Sequence, residues 1–327
     1  MRSGQVEFVE RPPWWGGDLQ TMRNQIVVHR VPLVRRTVPL RLPVSDGTGD
    51  VLTGSLHEPE NGSSGPAIFL IHGLTGCEDS TYVRQTTAYH LSLGRKVVRV
   101  NLRGAGSSRL TARGYYYGGC TSDVQDMLDG LEPSVTRSGV FAIGYSLGGN
   151  ILLNFLAQLR NDHPLIGAAT VSAPINPAEA CARLMSRRNM IYHYFLLRNM
   201  KRQALSPYAD LTAHEQRAIQ SARSIYAFDD DFTAPRHGYR SADDYYAKTA
   251  GYQFVAQLTI PTLLLHARND PWIPSGPYLE LLQQPLGQAE IVLAPSGGHV
   301  GFHDRASSAP WHDRVVNRFL ETVAGSP

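Results

Sequence analysis

Cysteine is scarce in this chain, with only Cys77, Cys120 and Cys181 among 327 residues. Thiols so few and dispersed build neither a disulfide framework nor a zinc ribbon, and they read as free thiols suited to a reducing compartment. Missing too is any apolar run near the ~18 residues of a membrane-spanning helix. Met1 through Glu10 carry neither the basic segment nor the apolar stretch of a secretory signal, so the expectation is a cytoplasmic protein. Charge of one sign does not dominate either: 31 basic and 28 acidic residues leave a formal net charge of +3. They are spread along the chain without the basic stripe of a nucleic-acid binder, so nucleic acid is not an expected partner. Internal repeats and low-complexity tracts are likewise absent.

What is present is the composition of a folded enzyme, 42% hydrophobic and 18% charged, able to bury a large core. Short apolar runs at 67–71, 97–101, 140–144, 168–172, 262–266 and 290–294 alternate with segments of helical spacing at about 80–93, 122–131, 147–159 and 311–323. That alternation predicts an α/β fold: a mostly parallel central sheet with helices on both faces. Residues 37–44 and 52–58 flank the turn-rich Ser45-Asp46-Gly47-Thr48-Gly49 and predict an antiparallel N-terminal hairpin at one sheet edge. From about 175 to 252 the strand rhythm gives way to helical, aromatic sequence, read as a cap inserted into a single domain spanning 1–327.

Gly144-Tyr145-Ser146-Leu147-Gly148 is a G-x-S-x-G pentad set between an apolar strand and a helical stretch. A strand reversing sharply into a helix forces its serine into a strained conformation, and small neighbours permit the turn; Ser146 is therefore the expected nucleophile. The alternative is a Gly-rich turn with an N-capping serine. A serine hydroxyl needs a general base and a group to orient it. Asp270 follows the strand-like Thr262-Leu263-Leu264-Leu265-His266 and falls at the carboxyl edge of the sheet, where open α/β sheets place their sites; its alternative is an Asx-turn before Pro271. His299, in Gly297-Gly298-His299-Val300-Gly301, sits on a glycine-flanked loop able to reach Ser146 and is the expected base. The rivals His303 and His312 are expected on the surface. Ile71-His72-Gly73-Leu74-Thr75-Gly76 follows the first parallel strand, so Leu74 N–H and Leu147 N–H are candidates for an oxyanion hole, with His72 bracing the turn.

At these residues the chain resembles the α/β-hydrolase superfamily and, within it, the AB hydrolase 4 or YheT-like branch. Further blocks similar to that branch are Pro12-Pro13-Trp14-Trp15-Gly16-Gly17-Asp18-Leu19-Gln20-Thr21, with Asp18 where a histidine is commoner, Asn101-Leu102-Arg103-Gly104-Ala105-Gly106 and Phe228-Asp229-Asp230-Asp231-Phe232-Thr233-Ala234-Pro235. The resemblance implies an α/β-hydrolase fold, a triad of Ser146, Asp270 and His299, and carboxylic-ester hydrolysis without a cofactor. Some relatives act on lipids or transfer acyl groups to alcohols. A non-catalytic binding protein on the same fold is the reading from another class.

In the expected cap, Tyr192, Tyr194, Phe195, Tyr226, Phe228, Phe232 and Tyr239 supply aromatic surface. Together with Tyr145 beside the nucleophile, Tyr192, Phe195 and Phe232 are candidates to line a pocket for the acyl chain of a small or lipid-like ester. The alternative is that the cap aromatics form its own small core. Arg183, Arg187, Arg188, Arg198, Lys201 and Arg202 lie in a stretch from 183 to 202 without an acidic residue, which suggests peripheral contact with anionic lipid or substrate, or else a solvated charged face.

Overall fold

The computed structural model describes residues 7–27, 37–60, 62–63, 65–160 and 162–325; residues 1–6 of the N-terminal stretch read for a secretory signal lie outside these. Eight strands form one sheet in the order β1-β2-β4-β3-β5-β6-β7-β8. The strands are β1 (Thr37–Pro43), β2 (Val51–His57), β3 (Ala67–Ile71), β4 (Val97–Asn101), β5 (Val140–Tyr145), β6 (Leu165–Val171), β7 (Thr262–Ala267) and β8 (Ala289–Ala294). β1 and β2 make the antiparallel edge hairpin and β2 runs antiparallel to β4; every later pairing is parallel. β6 starts three residues earlier than its apolar run suggests, where Val140 pairs with Leu165 across a register irregularity.

Period-two alternation splits the buried strands between two cores. Ala67, Phe69 and Ile71 of β3 face one side with Val140 and Ala142 of β5; Ile68 and Leu70 face the other with Phe141, Ile143 and Tyr145. Around the sheet run α1 (Gly16–Ile26), α2 (Thr81–Ser92), α3 (Thr121–Asp129), the single turn α4 (Pro133–Thr136), α5 (Leu147–Leu156) and, at the end of the described chain, α13 (Trp311–Gly325). Val124, Met127, Ile151, Leu152 and Phe155 of α3 and α5 cover the first face, while Val83 and Leu91 of α2 and Val316 and Leu320 of α13 cover the second. Each such side chain removed from water contributes about 1.5–3 kcal/mol before entropy is set against it.

Between β6 and β7 the chain is helical throughout its regular parts: α6 (Pro177–Leu184), α7 (Met190–Ala204), α8 (Ala213–Ser221), α9 (Ile225–Phe228), α10 (Ala234–Arg236) and α11 (Ala242–Thr249). A widened turn over Asp229–Thr233 joins α9 to α10. A capping box of Thr212 and Glu215 starts α8, and Ser241 Oγ accepts the Asp244 N–H at the start of α11. Asn150 in α5 ties the segment to the sheet: its Nδ2 donates to Thr249 O at 2.8 Å and its Oδ1 accepts from Gly251 N–H at 3.0 Å. A short α12 (Gly276–Leu281) lies between β7 and β8. Among the described residues no helix is long and apolar enough to cross a membrane.

Parallel strands all point the same way, so the loops after β3, β5, β7 and β8 gather at one edge of the sheet. Those four loops carry Leu74, Ser146, Asp270 and His299. The concavity of about 320 Å³ lined by Leu128, Thr136, His163 and Pro164 lies instead where β5 and β6 begin, away from that edge.

Candidate active site

Ser146 stands between the last residue of β5 and the first of α5 with φ 51° and ψ −124°, a backbone that L-residues avoid. The turn leaves no room for side chains beside it: a Cβ on Gly144 would fall 2.5 Å from Gly148 O, and one on Gly148 would fall 2.4 Å from His72 O. The hydroxyl is thus held at the N-terminus of α5, where unpaired N–H groups and the helix dipole favour negative charge.

Two other loops meet it there. Ser146 Oγ lies 2.9 Å from His299 Nε2, and His299 Nδ1 lies 2.8 Å from Asp270 Oδ2. A carboxylate can only accept, so Nδ1 carries the imidazole proton and Nε2 is left to accept from the serine hydroxyl. Asp270 is both things its sequence allowed: Oδ1 makes the local turn by accepting from Trp272 and Ile273 N–H at 2.8 and 3.0 Å, and Oδ2 holds His299. Burial would push its carboxyl up, but the electrostatic pull and hydrogen bond of the His299 ring, with nearby His266 and the Ile273 N–H, outweigh this and hold it below the ordinary carboxylate range.

The turn after β3 packs directly on the serine, since a Cβ on Gly73 would come within 2.8 Å of Ser146 Cβ. Gly73 N–H donates to Tyr82 Oη, Thr75 N–H to Tyr116 Oη and Gly76 N–H to Gly73 O, at 2.9, 2.7 and 3.1 Å. Leu74 N–H is the one left over in that turn, and among the described residues neither it nor Leu147 N–H has a hydrogen-bond acceptor. His72 braces the turn: its Nε2 accepts from Leu102 N–H at 3.1 Å, so Nδ1 donates to Gly73 O at 2.8 Å. Complete burial pushes its pKa down to about 4, so it stays neutral there.

Several expectations need correction. Tyr145 does not line a pocket; it is fully buried in the core on the α2 and α13 side, with its hydroxyl 2.6 Å from Thr86 Oγ1. Phe232 is also fully buried, packed edge-to-face on Phe228 at 5.2 Å inside the helical segment, so this pair forms core rather than lining. His303 and His312 are buried, not on the surface: Arg23 and Gln20 engage His303, and His312 packs edge-on against Tyr145 and Phe302. Phe195 is half exposed, whereas Tyr192 reaches the site through Trp272, which it meets edge-to-face at 5.4 Å.

Trp272 itself escaped the sequence reading. Its ring stacks on His299 at 4.4 Å, and its place two residues after Asp270 was the available signal. His266 is a second such residue, fully buried, stacked on Tyr278 and 3.9 Å from Asp270 Oδ2, with its pKa pushed down to about 4 chiefly by burial. The basic stretch finds an acidic partner from outside itself: Arg188 donates to Asp18 of α1 at 2.7 Å, and Tyr192 Oη donates to the same carboxylate at 3.0 Å.

The family model described as alpha/beta hydrolase fold matches residues 66–306, which hold six of the eight strands together with Ser146, Asp270 and His299. The chain belongs to the α/β-hydrolase family. Within it the likeness is to the YheT branch: the YheT protein of Escherichia coli (strain K12), whose name carries a provisional esterase assignment, is 31% identical over 92% of this chain and 88% of its own length. Phospholipase ABHD3 of Mus musculus is 31% identical over 80% of this chain, which spans only 64% of that relative. Among solved α/β-hydrolase structures, the Pyrococcus furiosus esterase Pf2001 shares the fold with a TM-score of 0.60 at 14% identity, covering 99% of each chain.

Proposed function

We propose that this chain is a serine-nucleophile hydrolase of carboxylic esters, working through an acyl-enzyme on Ser146. The observation that carries the reading is the unbroken chain of hydrogen bonds from Ser146 Oγ through His299 to Asp270, at 2.9 and 2.8 Å, beside a serine in a strained turn. His299 Nε2 takes the hydroxyl proton as Oγ attacks the ester carbonyl, and Asp270 orients and stabilises the imidazolium. Leu74 and Leu147 N–H groups receive the developing oxyanion. The protonated His299 gives its proton to the departing alcohol, and water activated by the same imidazole then releases the acid. An alcohol in place of water makes the site an acyltransferase.

The substrate class follows from the surroundings and from relatives such as the mouse phospholipase and the monoacylglycerol lipase of Saccharomyces cerevisiae (strain ATCC 204508 / S288c). We read it as a lipid-like ester, with Tyr192 and Trp272 beside His299 as apolar contacts and the segment 175–252 as a cap over the site. On α7, Ile191 is 85% and Tyr194 58% exposed, in a stretch that also carries Arg187, Arg198 and Arg202. Exposed apolar side chains among cations suit the surface of an anionic bilayer. Free Cys77, Cys120 and Cys181 favour a cytoplasmic setting.

The test is hydrolysis of p-nitrophenyl esters of increasing acyl length, in solution and with vesicles containing anionic phospholipid. Turnover is expected to depend on chain length and to vanish in Ser146→Ala. Joint substitution of Arg187, Arg198 and Arg202 by Gln is expected to weaken vesicle binding about 100-fold, at roughly 1 kcal/mol per cation. Inactivity across the whole panel would favour a non-catalytic binding protein, and unchanged vesicle binding would remove the bilayer contact.

A further inference from the structure

The chemistry above needs no residue before β1, yet α1 grips both loops that carry the acid and the base. His299 N–H donates to Thr21 Oγ1 at 2.8 Å, and that hydroxyl donates to Gly17 O at 2.7 Å. Asn24 Nδ2 donates to Val300 O at 2.9 Å, while Gln20 accepts from His303 N–H at 2.7 Å and donates to His303 O at 3.2 Å. The approach is as close as glycine allows. A Cβ on Gly298 would lie 2.3 Å from Gly17 O, one on Gly301 would lie 2.5 Å from Gln20 O, and one on Gly17 would lie 2.0 Å from Asn269 O. Asn269, next to Asp270, completes the clamp by donating to Ser296 Oγ at 2.6 Å and accepting from Gly298 N–H at 3.0 Å.

The gripped loop is under strain. Val300 and Phe302 hold φ at 54° and 51°, a region disfavoured for side chains with a Cβ and most of all for a β-branched valine. Such angles persist only where surrounding contacts over-determine them, and here Asn24 of α1 on Val300 O and Gln20 on His303 join Ser172 Oγ on Val300 N–H and Trp311 N–H on Phe302 O. The glycines around His299 therefore serve the docking of a helix as much as the reach of a loop.

We infer that α1 is a brace that sets the position of the general base, with Thr21, Gln20 and Asn24 as positioning residues. The inference rests on His299 being that base. Released from these bonds, the loop relaxes toward ordinary angles and carries the imidazole away from Ser146; a displacement of about 1 Å costs on the order of 100-fold in rate.

Thr21→Val keeps the shape and removes the acceptor, so kcat is expected to fall about 10- to 100-fold with KM unchanged. The rate of fluorophosphonate labelling should fall in step, circular dichroism should show the fold retained, and Thr21→Ser should restore both rates. Asn24→Leu serves as the second variant should Thr21→Val fail to fold. Either variant folding with wild-type kcat and labelling rate, or raising KM alone, overturns the brace and leaves the base assignment standing. A wild-type chain that neither hydrolyses esters nor takes the label overturns the base assignment itself, and the brace with it.

Discussion

Ser146→Ala is expected to lower kcat for ester hydrolysis by about 10⁶-fold, His299→Ala by nearly as much, and the double variant by no more than the worse single one. The non-additivity is the informative part. Oγ and Nε2 share one proton at 2.9 Å, so removing either partner ends the same step and the second loss has nothing further to remove. What activity survives is expected to come from the proposed oxyanion donors, Leu74 and Leu147 N–H, and from substrate binding, neither of which passes through the lost side chain. Single-turnover kinetics on a p-nitrophenyl ester measure all three variants. Losses that multiply in the double variant would mean that the two residues act in separate steps.

A sharp fall in stability on acidification is the second large effect. His72, His90, His266 and His312 are fully buried, and burial is the leading cause that pushes their pKa values down to about 4, 3, 4 and 3. In the unfolded chain each titrates near 6.5, so below that pH the unfolded state binds protons that the folded state refuses. The contribution is therefore present above about pH 6.5 and is lost as pH falls toward 4 and 3. Each tenfold difference in proton affinity between the two states is worth about 1.4 kcal/mol, so each histidine accounts for about 3–5 kcal/mol, against a total stability of about 5–15 kcal/mol for a typical domain. Three buried acids act the other way. Burial raises Asp313 to about 7, Asp229 to about 6 and Asp123 above its ordinary value, so between about pH 4 and 7 the folded state holds their protons more tightly than the unfolded one and the slope is reduced. Burial also pushes His57 and His237 down to about 4, so six histidines against three acids leave stability falling as pH falls. Thermal unfolding followed by circular dichroism is expected to show the midpoint dropping steadily from pH 6.5 to 4.5, with a shallower slope in His312→Leu. A midpoint that holds level over that range would mean that these histidines accept protons without unfolding the chain.

The central strands were legible because they are buried on both faces and so appear as apolar runs, such as Ala67 to Ile71 and Leu263 to Leu265. Ser146, Asp270 and His299 were legible as candidates because each follows such a run by a few residues, and parallel strands deliver all three to one edge. Tyr145 was misplaced although its signal was available: Phe141, Ile143 and Tyr145 share one side of the pleat, which a period of two points away from Ser146 and into the core. Phe228 and Phe232 likewise carry the four-residue spacing of a packed pair.

His303 and His312 were assigned to the surface from their places after the Gly-rich loop and at the start of the terminal helix, and only the tertiary fold supplies Gln20, Phe302 and Tyr145 to enclose them. The service of α1 could not be read locally for the same reason. Gln20 and Thr21 lie 278 or more residues from the His299 and His303 backbone groups they hold, and no spacing rule spans that distance. The resemblance marked those residues as part of a signature, and the fold shows what they touch.

Covalent labelling by a fluorophosphonate probe, read by mass spectrometry of the digested chain, tests the nucleophile directly, because only a hydroxyl activated by a neighbouring base reacts at a useful rate. The expected result is a single adduct on the peptide containing Ser146, absent in Ser146→Ala and strongly slowed in His299→Ala. An unlabelled wild-type chain, or labelling that persists at the same rate in Ser146→Ala, would contradict it.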